Sequence, residues 1–256
     1  MRTSAARILV VAGVLGILAP TRAGAEGTTC GNPTVIVPDG RITSSTIPNS
    51  QTFFFTITSR AGSSYSVEFH NVLGAAVQTP GTLSVFSDTG CSSSVTTTNT
   101  AATDPGDPNG ERVSFTATTT TTRFSLANSS GGAITYSFSV SDTTMFSPAW
   151  STNSTFNSFY SFLNTTGGTI AGTLTLFNTL GTQVGTPTNF TINPNSTAST
   201  NTAALGTVRN TTGTAKFTHN GPPGAILAEA AIANFTITPT PYFQPVKFAP
   251  TRESTH

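Results

Sequence analysis

Apolar side chains occupy every second position in six segments of the first half of the chain, at residues 53–57, 65–69, 83–85, 113–115, 124–126 and 134–140. A period of two places alternate side chains on opposite faces of a strand, so each segment predicts a strand with one buried face. Turn-forming residues such as Pro38-Asp39-Gly40 separate the segments. Short strands with this spacing predict an antiparallel β-sandwich over residues 26–142.

Residues 143–153 interrupt the alternation and contain the only tryptophan, so we place a linker there. The pattern resumes at residues 159–162, 174–176, 190–192, 215–217 and 232–237, which predicts a second β-sandwich domain over 154–249 and a disordered tail over 250–256. Residues 225–233 could form a short helix, since Ala, Leu and Glu favour one. A strand is the preferred interpretation, because Gly-Pro-Pro-Gly precedes the segment and a β-prone run follows it.

An internal match links the two halves. Residues 82–90 align with 173–181 at an offset of 91, and two further pairs, Arg123 with Lys216 and Ala133 with Ala225, follow at offsets of 93 and 92. Near-constant offsets suggest that the halves share a topology. Chance similarity between Thr-rich strands is the alternative.

The amino terminus has the features of a secretory signal peptide over residues 1–25. Arg2 and Arg7 precede an apolar run, residues 8–19, that is shorter than the roughly 20 residues needed to span a bilayer. Ala23-Gly24-Ala25 offers small residues at the cleavage site, so we expect cleavage before Glu26. An uncleaved anchor is the alternative. The expected location is secreted, periplasmic or at the cell surface, with no transmembrane segment after cleavage.

Charge argues against nucleic acid as a partner. Charged residues make up 8% of the chain, and the part after the signal peptide has a net charge of about −2. Its basic residues are scattered along the sequence, whereas a polyanion site needs them clustered. Abundant Thr and Ser supply the polar positions instead, and Thr suits a pleated sheet.

Cysteine and histidine content limits the chemistry. The two cysteines, Cys30 and Cys91, predict a disulfide in an oxidising compartment. The three histidines, His70, His219 and His256, lie near no nucleophile motif, so we expect no enzyme activity.

Two groups of residues are candidate ligand sites. Asp104, Asp107, Asn109 and Glu111 gather oxygen atoms within eight residues, as a calcium site does, although tight turns use the same residue types. No other cofactor is expected. Trp150, Phe159 and Tyr160 could form a platform on which sugar rings stack if one strand face is exposed. The alternative is that these aromatic side chains belong to the core.

Residues 30–141 resemble the bacterial pre-peptidase C-terminal domain family. The resemblance lies in residues 51–57, 65–69, 83–90, 112–117, 122–126 and 133–140, with Gln51 and Phe53 standing where the family often has Asp and Tyr. It implies a small β-sandwich attached to exported proteins. The second half resembles sandwich domains of uncharacterised exported bacterial proteins.

Together these features predict an all-β protein of two antiparallel sandwich domains that acts as a secreted or cell-surface binding or structural module. Its expected partner is a protein or a glycan. An accessory module of a secreted hydrolase, or a weak hydrolase, is the alternative.

Overall fold

A computed structural model of the chain describes residues 26–71, 82–98, 110–129 and 131–250. Every regular element in these ranges is a β-strand, which confirms the all-β class. None of the described residues belongs to a helix with the length and apolar character needed to cross a bilayer. The signal peptide assigned to residues 1–25 lies outside the described ranges.

The strands are, in chain order, β1 (Thr34–Val35), β2 (Thr43–Ile47), β3 (Thr52–Thr58), β4 (Ser64–Asn71), β5 (Thr82–Phe86), β6 (Ser94–Thr98), β7 (Gly110–Thr116), β8 (Thr121–Ala127), β9 (Ile134–Asp142), β10 (Met145–Ser151), β11 (Asn157–Asn164), β12 (Ile170–Asn178), β13 (Gln183–Ile192), β14 (Thr197–Asn201), β15 (Thr212–His219), β16 (Ile226–Asn234), β17 (Tyr242–Lys247) and β18 (Ala249–Pro250). Each alternating segment found in the sequence falls in a strand, except that 232–237 extends beyond the end of β16. Residues 225–233 form a strand, as predicted, since β16 covers nearly all of them.

Strands β1 to β9, here called the first unit, form two sheets around one core. Their orders are β1-β3-β8-β5-β6 and β2-β9-β4-β7. The pairing is antiparallel except between β1 and β3, which run parallel. Phe55, Phe124 and Phe138 meet at the centre, with ring centroids 4.6–6.0 Å apart. The alternating apolar residues of both sheets therefore share one dry layer.

Strands β10 to β18, the second unit, repeat this arrangement around a separate core. Their sheets have the orders β13-β12-β15-β10-β18 and β14-β11-β16-β17. Phe162 stacks on Phe217 at 3.9 Å between ring centroids, and Trp150 lies in the same cluster. Four sheets and two core clusters thus account for the described chain.

The two units share the order of seven strands. Each strand from β3 to β9 has the same neighbours in its sheet as the corresponding strand from β10 to β16. For example, β8 lies between β3 and β5, just as β15 lies between β10 and β12. The internal sequence matches fall on corresponding strands, β5 with β12 and β8 with β15. The units differ in their added edge strands, which precede the repeat in the first unit and follow it in the second.

Residues 143–153 are not the linker that the sequence predicted. Met145–Ser151 form β10, an inner strand paired with β15 and β18. A register shift between Ser147 and Trp150 changes which face the side chains point to, and this hides the period of two. The connection between the units is only Thr143 and Thr144, both buried.

Two further sequence assignments change at the end of the chain. Pro250, assigned to a disordered tail, pairs in β18 with Met145, and residues 251–256 lie outside the described ranges. The alternating run at 232–237 stops as a strand at Asn234. There the Asn234 side chain accepts hydrogen bonds from the backbone and hydroxyl of Thr236, which turns the chain.

Candidate binding face

The sheet β14-β11-β16-β17 has one face in the core and one face turned outward. Tyr160, Phe162, Ala230 and Val246 point to the core. Because neighbours in a strand alternate, residues 159, 161, 229, 231, 233, 243, 245 and 247 line the outer face. This outer face carries the aromatic groove described next.

The groove has a floor of small residues between two apolar walls. Ala231 on β16 forms the floor, and Ala233, the next outward residue, is only 1% exposed although it belongs to no core cluster. Phe159 on β11 pairs with Ala231 on one side, while Phe243 and Pro245 on β17 flank the other side. The cavity between the walls has a volume of about 480 Å³. A groove of this size lies within the range of ligand sites in proteins.

Aromatic residues continue beyond the groove at the end of β16. Phe235 packs edge-on against Phe159 at 5.7 Å between centroids, and Phe156 packs edge-on against Tyr242 at 5.4 Å. Phe235 and Phe243 are each 63% exposed. Of the ten large hydrophobic side chains that are exposed among the described residues, five lie between positions 227 and 243. Such a concentration is typical of an interaction surface.

Polar side chains lie at the other end of the groove. Glu229 lies opposite Lys247 on one side and Ser161 on the other, and Ser161 lies opposite Ser199 on β14. This row therefore offers a carboxylate, an ammonium group and two hydroxyls on the same outer face, next to the aromatic walls. Such a mixture can donate and accept hydrogen bonds side by side.

A second cavity, of about 430 Å³, lies where the two units meet. Its acidic side chains already have partners, since Asp142 pairs with Arg60 and Asp39 with Arg41. His219 also lines it, and its Nδ1 accepts a hydrogen bond from the Gly221 backbone. Burial, with Arg112 nearby, lowers the pKa of His219 to about 4, so the imidazole is neutral at pH 7. We assign this region to the joint between the units.

Direct hydrogen bonds hold that joint. Thr143 donates to the side chain of Ser64, and the His219 backbone donates to the same hydroxyl. Lys216 reaches from β15 to the Gly62 carbonyl at 2.7 Å. The outer face of β4 and β9 is therefore covered by protein in the first unit, whereas the corresponding face of β11 and β16 in the second unit is open.

Two of the three residues predicted as a sugar-stacking platform do not form one. Trp150 is buried, and its indole Nε1 donates to the carbonyls of Phe177 and Thr214. Tyr160 is also buried, and burial raises the pKa of its phenol. Both belong to the core because they lie on inward positions of their strands. Phe159, one position from Tyr160, is on the outer face and lines the groove.

Sequence reasoning missed the partners of Phe159. Phe243 and Pro245 lie on β17, whose sequence Tyr-Phe-Gln-Pro-Val-Lys shows no clear alternation. Phe235 lies just beyond the end of β16, within residues 232–237, for which the sequence predicted a strand. The signal that could have found them is the density of aromatic and Pro residues over 235–245.

The predicted disulfide is present. Cys30 and Cys91 are bonded with their Cα atoms 6.1 Å apart, and the described residues hold no free cysteine. The bond ties the segment before β1 to the turn after β5. In that turn Asp88 accepts hydrogen bonds from the hydroxyl of Ser92 and from the backbones of Ser93 and Ser92, which lowers the pKa of its carboxyl to about 2.

The predicted calcium ligands fall mostly outside the described residues. This applies to Asp104, Asp107 and Asn109, and to the side chain of Glu111, whose backbone belongs to β7. In the described part of the chain, no group of three or more His, Cys, Asp or Glu side chains could hold a metal ion. The calcium site stays a prediction.

Comparisons with known proteins do not assign a family. No family model matches the sequence, and no curated protein matches it. The resemblance of residues 30–141 to the pre-peptidase C-terminal family therefore stays a prediction.

Two solved structures share a weak likeness. One is the full extracellular region of zebrafish Gpr126/Adgrg6, at 11% identity and a TM-score of 0.27, with 90% of this chain and 34% of that chain covered. The other is Bacteroides uniformis beta-glucuronidase, at 10% identity and a TM-score of 0.21, with 80% and 26% covered. The chain thus spans about a third of the first protein and a quarter of the second.

Proposed function

We propose that this protein is an exported, extracytoplasmic binding module, which holds a glycan or protein partner on the outer face of β14-β11-β16-β17 and carries out no chemistry of its own. In this proposal the first unit is an accessory sandwich of the pre-peptidase C-terminal type. The second unit provides the contact surface.

The observation that carries the proposal is the aromatic groove. Soluble proteins rarely leave several large apolar side chains exposed side by side, because each loses the stabilisation that burial would give. Phe243 stays exposed on the wall of the groove, and Phe235 stays exposed beside it, packed on Phe159. The disulfide Cys30–Cys91 supports an extracytoplasmic location, since such bonds persist in oxidising compartments.

The test is binding to immobilised glycan and protein arrays by the purified chain and by Phe243→Ser. We expect the wild-type chain to bind a defined set of array members and Phe243→Ser to lose at least nine-tenths of that signal, as a change of about 1.4 kcal/mol in binding free energy implies.

Leu180→Ser is the matched control, because Leu180 is 88% exposed and lies away from the groove in the turn after β12. It should bind like the wild type. Equal losses in both variants, or no array binding by the wild type, would contradict the proposal.

A further inference from the structure

We propose that the partner held in the groove is an unbranched polysaccharide of pyranose sugars whose chain runs along β16. This inference rests on the proposed function and names the class of ligand. It goes further than the proposal, because that proposal would also be satisfied by a protein partner.

The shape of the face fits an extended chain. The groove follows the middle strand, β16, between walls on β11 and β17, and neighbouring strands lie about 4.8 Å apart. From the Glu229 row to Asn234, where β16 ends, the face runs for five residues, roughly 17 Å at the usual rise along a strand. Its position on the outside of a sheet leaves both ends open to solvent. A long polymer could pass through without presenting a chain end.

The chemistry of the face fits a ligand that is apolar on its ring faces and polar at its rim. A pyranose ring presents C–H groups on its faces and hydroxyls around its edge. Phe159 and Phe243 supply apolar surfaces for the ring faces. Ser161, Glu229 and Lys247 supply donors and acceptors for the hydroxyls.

A peptide suits the same face less well. An extended peptide needs donors for its carbonyls along its whole length. Around Ala231 the neighbouring side chains are Phe159, Phe243 and Pro245, none of which carries a side-chain donor. The polar row of Glu229 lies at one end of this apolar stretch, and Asn157 lies opposite Ala233 at the other end. This arrangement is compatible with sugar hydroxyls at the two ends and stacking between them.

The open state of the face agrees with an external partner. The corresponding face of the first unit carries Ser66, Glu68, Ser139 and Ser141, and the second unit covers it within the chain. By register, the matching positions of the second unit are Asn157, Phe159, Ala231 and Ala233. Phe159 thus stands where the first unit has Glu68, and two alanines stand where it has serines, so a polar face at the joint becomes an apolar trough. A second copy of the chain is the competing occupant, and the test includes it.

The experiment measures the full chain against soluble polysaccharides by affinity electrophoresis and isothermal titration calorimetry. The probes are hydroxyethylcellulose, mixed-linkage β-glucan, xylan, pullulan and chitin oligosaccharides. We expect saturable binding of at least one of them. Phe159→Ala and Phe243→Ala should each weaken that binding at least tenfold, Glu229→Gln should weaken it by a smaller factor, and Leu180→Ala should leave it unchanged.

The outcomes separate the inference from the proposed function. Binding of array proteins through Phe243 with no polysaccharide bound would overturn the inference and leave the function standing. Failure of both would overturn both. Polysaccharide binding that survives Phe159→Ala and Phe243→Ala would overturn the assignment of the groove.

Self-association provides the remaining control. Sedimentation over a range of concentrations that shows dimers in the wild type, and monomers in Phe243→Ala, would overturn the inference in favour of a second copy. Folding of each variant is checked by circular dichroism. Because Phe243 is mostly exposed, its variant should retain the wild-type melting temperature even if Phe159→Ala does not.

Discussion

At the scale of single residues, His219 makes the stability of the joint between the units depend on pH. Its side chain is buried, and burial lowers its pKa from the ordinary value of 6.5 to about 4. Protons therefore bind the unfolded chain more tightly than the folded chain between these two values. The stabilisation that neutral His219 provides is complete above about pH 6.5 and is lost as the pH falls towards 4.

We expect the free energy of unfolding of the wild type to fall by about 3 kcal/mol between pH 6.5 and pH 4 through this residue. Urea titrations at half-unit pH steps measure it. In His219→Gln, which has no titrating group at this position, the dependence should be weaker by that amount. Parallel pH profiles for the two proteins would show that His219 is not the source of this pH dependence.

Gly172 on β12 is a second residue whose identity the packing determines. A Cβ atom built at this position would lie 2.3 Å from the Phe217 ring. Phe217 cannot move aside easily, because it is fully buried and stacks on Phe162. The close approach of β12 to this stacked pair requires glycine.

Gly172→Ala should therefore lower the free energy of unfolding by about 2 kcal/mol, the usual effect of overpacking a core. Chemical denaturation measures the change. Gly168→Ala is the control, because open space surrounds a Cβ there, and it should shift stability by less than about 0.5 kcal/mol. A Gly172→Ala protein as stable as this control would contradict the packing argument.

At the scale of elements, the disulfide fixes a segment that has little sheet pairing of its own. β1 has two residues, and the chain before it is held to the fold near Cys30. The bond links positions 61 residues apart, so it restricts the unfolded chain considerably. In the loop-entropy model such a closure contributes about 4 kcal/mol.

The double variant Cys30→Ser/Cys91→Ser should lose up to about 4 kcal/mol of unfolding free energy. Thermal and urea unfolding test it, with the wild type under reducing conditions as the comparison. The reduced wild type should match the double variant. An oxidised wild type no more stable than the double variant would contradict the expected contribution.

At the scale of the whole molecule, the short buried connection makes the units depend on each other. Thr143 and Thr144 leave no flexible link, and both donate hydrogen bonds from their hydroxyls to Ser64. Although each unit has its own core cluster, we expect the units to unfold in one coupled transition. The division of the chain into two domains stays a prediction from the sequence.

Ser64→Val should weaken this coupling, because it removes the hydroxyl shared by Thr143 and the His219 backbone. Differential scanning calorimetry should show one transition for the wild type and two resolved transitions for the variant. Ser199→Val, on an exposed position of β14, should unfold like the wild type. Two separate transitions already in the wild type would contradict coupling between the units.

The sequence by itself determined the all-β class, the placement of most inner strands and the disulfide. These features depend on local rules: alternation along a strand, turn residues between strands, and an even pair of cysteines. The internal match also led correctly to strands that correspond between the units, because equivalent positions keep similar side chains.

Tertiary structure alone decided which aromatic residues face outward. Trp150 and Tyr160 are as aromatic as Phe159 and Phe243, and only the neighbouring sheet distinguishes them. The bulge in β10 changes the direction of Trp150, and pairing with β16 places the outward residues of β17 opposite Ala231 and Ala233. Burial depends on contacts between residues far apart in the chain, so no local pattern could show which aromatic residues line the groove. Pairing of β10 with β15 and β18 likewise made a strand of the predicted linker. One face of the sheet β14-β11-β16-β17 is left open for a partner.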